Sequence, residues 1–246
     1  MRQPPEQQAP PVQWLRLRYA KRDRMRFTSH RDFSRAFERA VVRAGLPMAY
    51  SSGFSPHPRI SYAGASPTGA SSEAEYLEIG LARVVDPDAA RTALDDALPA
   101  GLDVLAAIVS PGGSLTDLLE ASVWRISVPG LTDSAADAAV AAFLASPEIL
   151  VERMTKGGLR RFDCREAVLS LTRADGTEGQ VECAIIEVVL RHGVPSVRPD
   201  DVLAGLRETG GLGAGAAPLF ERLAQGPLDP RSGTVGDPLA SDRDTA

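Results

Sequence analysis

Between Ser29 and Pro47 the sequence has one clear folding solution, an amphipathic helix with a single buried face. Phe33, Ala36, Phe37, Ala40, Val41 and Ala44 recur at the i, i+3, i+4, i+7 spacing of such a face. Ser29 followed by Asp32 resembles an N-terminal cap with a carboxylate in the first turn. Gly45 and Pro47 stop the helix. Arg31, Arg35, Arg39 and Arg43 recur every four residues. Each step drifts about 40° at 3.6 residues per turn, so the guanidinium groups share one broad solvent face. That face and the loop after it form the expected binding surface.

The helix takes its place in a longer alternation. Residues 1–13 are polar and rich in Pro and Gln, and are expected to be a flexible arm. Leu15, Leu17 and Tyr19 then alternate with Arg16 and Arg18 as a half-buried strand. Lys21 to Arg24 read as a turn, and Met25 to Phe27 as extended chain entering the helix. Arg59 to Tyr62 and Tyr76 to Leu81 read as strands joined by a segment rich in turn formers. Asp86-Pro87 caps a second helix burying Ala90, Ala93, Leu94, Ala97 and Leu98. Leu102 to Ile108 is a fourth strand. The order β-α-β-β-α-β is the split βαβ or ferredoxin-like unit.

SPGGS at residues 110–114 punctuates the chain, and a similar order begins again. Trp124, Ile126 and Val128 alternate as a strand, and Ser134 to Ala145 follow as a helix. Ile149 to Met154 pair with Leu159 to Phe162 across Lys156-Gly157-Gly158. Val168 to Leu171 and Val181 to Leu190 form a second hairpin turned at Asp175-Gly176. A helix over Pro199 to Arg207 has no clear closing strand after it. A short helix is expected at Leu219 to Leu223, and disorder from about Gly226. The predicted class is α+β: two ferredoxin-like (βαββαβ-type) units in tandem, the second a variant with an extra strand. Both are expected to be antiparallel sheets with helices on one face. The predicted division is a flexible arm at 1–13, domains at 14–110 and 111–208, and a largely disordered tail at 209–246.

With 246 residues and 43% apolar composition, the chain can fill two small cores. No apolar run approaches the ~20 residues needed to span a bilayer, so no membrane is expected. Cys164 and Cys183 without a secretory signal read as reduced, buried thiols of a cytoplasmic protein. Lysine occurs only at Lys21 and Lys156, against 25 arginines, so arginine content by itself is a poor marker of phosphate binding. The net charge of −5 hides segregation: residues 1–62 hold 12 Lys/Arg against 4 Asp/Glu, and residues 63–150 hold 3 against 13. Such a division either presents an oriented field to an anion or neutralises itself between neighbouring elements.

Candidate sites follow from the same stretches. His30 stands at a strand-to-helix corner, either as an acid-base or phosphate group or as a tie between backbone carbonyls. The loop from Tyr50 to Arg59 offers hydroxyls such as Ser52, the rings of Tyr50 and Phe54, and His57 between two prolines. Its rings suit base stacking and Arg59 a phosphate; the alternative is a rigid connector whose aromatics plug the core. Lys156, Arg160 and Arg161 make a basic hairpin tip, suited to a phosphate or simply solvated. Ser71, Ser72, Glu73 and Glu75 before the third strand are either two carboxylates with hydroxyls able to do acid-base or metal work, or a solvated turn. His30 and His57 are the candidates for catalysis. No metal or cofactor is expected. Three histidines and two cysteines show no paired zinc spacing, and no phosphate-binding glycine loop or nucleophile elbow occurs.

Ser29, His30, Asp32, Arg43 to Pro47, Tyr50, Ser51, Gly53, Phe54, Pro56 to Pro58 and Ser71 to Tyr76 together carry a resemblance. The pattern F-x-S-H-x-D, R-A-G-L-P, Y-S-x-G-F-x-P-H-P and S-S-E-x-E-Y is similar to an uncharacterised bacterial domain family. That family is known as radical-SAM-linked or radical-SAM-associated. Lys156 to Arg165 resembles a further family segment more loosely, and the match spans about residues 14–208. The resemblance implies a radical SAM protein as partner, here encoded separately, and implies no established activity. Two cysteines cannot supply the C-x₃-C-x₂-C run of a radical SAM enzyme itself.

These readings lead to an accessory RNA-binding module acting in trans with a radical SAM or RNA-processing partner. Its expected RNA is structured, such as tRNA or rRNA. Two alternatives stand beside it: an adaptor for a radical SAM protein without RNA binding, and a histidine-dependent RNA-processing or RNA-modifying enzyme.

Overall fold

A computed structural model describes residues 7–155, 157–175, 183–212 and 217–240 of the chain. It is a mixed α+β structure of antiparallel strands and helices. Two compact units divide it, Met1–Leu119 with Asp237–Ala246, and Glu120–Gly236.

In the first unit, β1 (Gln13–Lys21), α1 (His30–Arg43), β2 (Ile60–Ala63), β3 (Ser71–Leu81), α2 (Pro87–Ala97) and β4 (Val104–Val109) follow in that order. The strands lie β4-β1-β3-β2, all antiparallel. The period-2 pattern of β1 sends Leu15, Leu17 and Tyr19 to one face. There they meet Phe33, Phe37 and Val41 of α1, Leu77 and Ile79 of β3, and Ala90 and Leu94 of α2 in one buried cluster. Ser29 caps α1 as expected, its Oγ accepting from the Asp32 backbone N–H at 3.2 Å. On the opposite face Arg16 is buried, its Nε 2.8 Å from Glu78 Oε1. The same guanidinium donates to the carbonyls of Gly112 and Gly113 at 2.7 and 3.1 Å, holding the SPGGS segment in place.

Four sequence expectations in this unit are corrected. Residues 23–27 form a 3-10 helix rather than turn and strand, closed by the Met25 N–H to the Arg22 carbonyl at 2.9 Å. A segment this short has no room to build a ladder of its own. β3 begins five residues earlier than expected, at Ser71, because Tyr19 and Lys21 of β1 offer partners to Glu75 and Ser72. The arm is held at its end: Pro11 lies over Gly80, where a Cβ would come within 2.8 Å of the proline ring. The far tail also packs, with Leu239 fully buried among Ala63, Ala74, Tyr76, Leu115 and Leu119. An isolated leucine in a polar segment carries no periodicity, so only the fold shows it a partner.

The second unit runs β5 (Ala121–Pro129), α3 (Asp133–Ala145), β6 (Leu150–Thr155), β7 (Gly158–Asp163), β8 (Val168–Ala174), β9 (Cys183–Arg191), α4 (Pro199–Gly210) and β10 (Leu219–Gly226). Four strands lie β10-β5-β9-β8, antiparallel, while β6 and β7 form a separate two-stranded sheet. Where one extra strand is expected, two strands form a hairpin apart from the four. Leu219 to Leu223, expected as a helix, belong to the closing strand β10. A short apolar run with both spacings is decided by its partner, here β5. The expected turn at Asp175-Gly176 reaches beyond the described residues. α4 packs against α3 at glycine: a Cβ on Gly205 would lie 2.8 Å from the Phe143 ring.

Leu239→Ala should lower stability by about 3 kcal/mol through the cavity it leaves, whereas Val84→Ala, three-quarters exposed, should stay within about 0.5 kcal/mol. Urea denaturation of both variants checks this.

Candidate functional site

The site is built on α1, whose orientation is set by rings. Phe33 stacks on Tyr19 with centroids 4.5 Å apart and packs against Phe37 at 5.8 Å and, edge-on, Tyr62 at 5.9 Å. With that face turned inward, Arg31, Arg35, Arg39 and Arg43 are all exposed. Among the described residues, Arg31, Arg35 and Arg39 form no ion pair; Arg43 donates to the Ala97 carbonyl. The acidic middle segment takes its cations from β1 and the turn after it instead. Glu78 pairs with Arg16, while Glu73 and Asp103 share Arg22. Glu75 is buried and accepts from the Ser66 N–H at 2.9 Å. The Ser71–Glu75 cluster therefore serves the fold, not a solvated turn.

The loop from Tyr50 to Arg59 is a closed neck with an open tip. Arg59 N–H donates to Ala49 at 2.8 Å, Gly80 N–H to Arg59 at 2.8 Å, and Ser51 N–H to His57 at 2.9 Å. The Arg59 Nε donates to the Tyr50 carbonyl at 3.3 Å, which ties this guanidinium to the neck. Ser52 Oγ accepts from the Gln8 N–H at 2.9 Å. At the tip Gly53 has φ 137°, in the region that favours glycine, and Phe54 is 73% exposed. Phe54 therefore does not plug the core.

Helix and loop enclose a groove of about 770 Å³ lined by Arg35, Glu38, Arg39, Val42, Arg43, Tyr50 and Pro58. It gathers four of the residues singled out from sequence: Arg35, Arg39, Arg43 and Tyr50. Arg31, Ser52, Phe54, His57 and Arg59 lie outside its lining. Glu38, Val42 and Pro58 were missed. Val42 breaks the arginine stripe as an apolar residue that is 69% exposed, and that mismatch was visible in the sequence.

His30 is the first residue of α1, exposed, with its ring edge-on to Tyr62 at 5.0 Å. His57 is exposed on the loop. Among the described residues neither imidazole has a hydrogen-bond partner. Burial pushes the Tyr62 phenol up to about 12 and the Cys164 thiol to about 12, so both stay protonated at neutral pH. Both cysteines are free thiols. No cluster of three or more His, Cys, Asp or Glu able to hold a metal occurs among the described residues. No helix among them is long and apolar enough to cross a membrane.

The family described as "Uncharacterized protein conserved in bacteria", DUF2344, matches residues 14–199. The chain belongs to that family. No curated protein matches it. The DUF2344 chain is similar to a chain from a Cbf5-Nop10-Gar1 complex at TM-score 0.47 and 11% identity, covering 90% of this chain and 55% of that one. It thus spans about half the length of that chain. It is also similar to an unknown protein from Galdieria sulphuraria at TM-score 0.24 and 13% identity, covering 85% of this chain and 98% of that one. Both scores fall below 0.5, so neither likeness bears on function.

The second basic element of this DUF2344 chain is the β6–β7 hairpin. Arg160 and Arg161 are exposed on β7, while Lys156 lies outside the described residues. Arg153, opposite Arg160, is instead turned inward onto the Phe162 ring at 4.9 Å and pairs with buried Asp201 at 2.5 Å. Burial holds the Asp201 carboxyl above its ordinary range, although the Arg198 N–H and Arg153 oppose that shift. Arg153→Met should cost about 3 kcal/mol at neutral pH, because a buried carboxylate is left without its cation. A carboxyl with a raised folded pKa takes its proton in the fold first, so stability is regained as pH falls toward the carboxylate range. Urea titrations at neutral and mildly acid pH should show the deficit shrinking.

Proposed function

We propose that this chain is an accessory RNA-binding module that presents structured RNA, such as tRNA or rRNA, to a protein partner. The carrying observation is the α1 face: exposed guanidinium groups with no ion pair among the described residues, beside a groove with apolar walls. Guanidinium groups of this kind recognise phosphate with little desolvation cost, and exposed rings at Tyr50 and Phe54 supply stacking surfaces. The partner is a radical SAM or RNA-processing protein, on the family resemblance carried by the SGFSPHP loop and its flanks. The β4-β1-β3-β2 and β10-β5-β9-β8 orders support reading both units as ferredoxin-like, the second with an inserted hairpin. A soluble cytoplasmic setting suits such a role.

An adaptor role without RNA draws on one observation, the exposed Val42 amid the arginines, since apolar residues ringed by charge also suit a protein partner. Filter binding separates the two. Binding of tRNA or rRNA at low salt should weaken with a log–log salt slope of about −2 to −3, as expected for roughly three phosphate contacts. Charge reversal at Arg35 and Arg39 should weaken it by at least about tenfold with circular dichroism unchanged. No binding at low salt, or a flat salt response, eliminates the RNA reading.

A further inference from the structure

We infer that the groove between α1 and its loop seats one unpaired guanine of a single-stranded RNA segment, with Glu38 reading its Watson–Crick edge. This rests on the RNA-binding reading and adds a base identity to it. A surface that only bound phosphates would be weakened by a carboxylate in its lining. Glu38 nevertheless lines the groove beside Arg35 and Arg39, half-buried, and forms no ion pair among the described residues. With no cation of the protein to neutralise it there, this carboxylate is matched to a ligand that donates hydrogen bonds.

The walls favour a base over a duplex. In a duplex both faces of each base are stacked and its Watson–Crick edge is occupied, leaving little for an apolar cleft to hold. Here Val42 and Tyr50 supply apolar and aromatic surface, and about 770 Å³ lies within the usual size range of small-ligand clefts. Arg35, Arg39 and Arg43 step about 6 Å along the axis, four residues at 1.5 Å each, and can follow successive phosphates of an extended strand. A carboxylate is acceptor-only, so it selects a base edge with adjacent donors. Guanine presents N1–H and N2–H₂ side by side and satisfies both oxygens at once. Adenine and cytosine present an amine beside an acceptor, and uracil a single N–H between two carbonyls. Those edges leave one carboxylate oxygen facing an acceptor, a repulsive contact.

The test is fluorescence anisotropy with the full chain and four labelled oligouridine RNAs carrying a central G, A, C or U. The G-containing RNA should bind about tenfold more tightly than the others at one salt concentration, the discrimination a good bidentate pair provides. Glu38→Gln should reduce the G-to-U ratio to within about twofold. Equal affinity for all four RNAs, with salt-dependent binding intact, overturns the guanine inference and leaves the RNA-binding reading standing. A perfect duplex preferred over all four also overturns it. No binding to these RNAs or to tRNA at low salt removes both.

Discussion

The stacking of Phe33 on Tyr19 is the contact on which the rest of the first unit's surface depends. It joins the first strand to the first helix and fixes how the helix is rotated about its own axis. Once Phe33, Phe37 and Val41 face the sheet, the i+4 repeat leaves the arginine side no direction except outward. A rotation of one residue, 100°, would bury guanidinium groups without partners, at several kcal/mol each. Core packing thus makes the basic face a geometric necessity.

Charge segregation along the chain has two outcomes in the fold, divided by element. Arginines of β1 and the turn after it neutralise the acidic strand and its neighbours: Arg16 with Glu78, Arg22 with Glu73 and Asp103. Among the described residues the arginines of α1 form no ion pair, and Arg43 donates to the Ala97 carbonyl. The difference lies in side-chain direction, since alternate β1 residues point across the sheet onto facing carboxylates while the helix points to water. In the second unit Arg153 and Asp201 repeat the structural use of arginine, so arginine count is uninformative about binding there as well.

Much of the architecture was legible because period decides it. The helices at α1, α2, α3 and α4 and the strands β1, β5 and β9 follow from apolar spacing, caps and turns. β10 and the docking of Leu239 were not legible, because their stabilising partners lie far away in sequence. In the groove, Arg35, Arg39, Arg43 and Tyr50 were found from the repeat and the loop, but Glu38 and Pro58 were not. Neither breaks a pattern, and a lone glutamate on a helix ordinarily reads as solvated.

The residues alone determined that a basic helix face would exist, since a 3.6-residue repeat forces apolar and charged side chains onto opposite sides. They also determined a loop of restricted backbone beside it, because Pro56 and Pro58 fix φ there. Only the tertiary structure decided which arginines form no ion pair among the described residues, and that Tyr50 and Pro58 meet the α1 face across one groove. Ion pairing and clefts are properties of distances between segments, and these are set only when the sheet brings residues 50–58 back against α1.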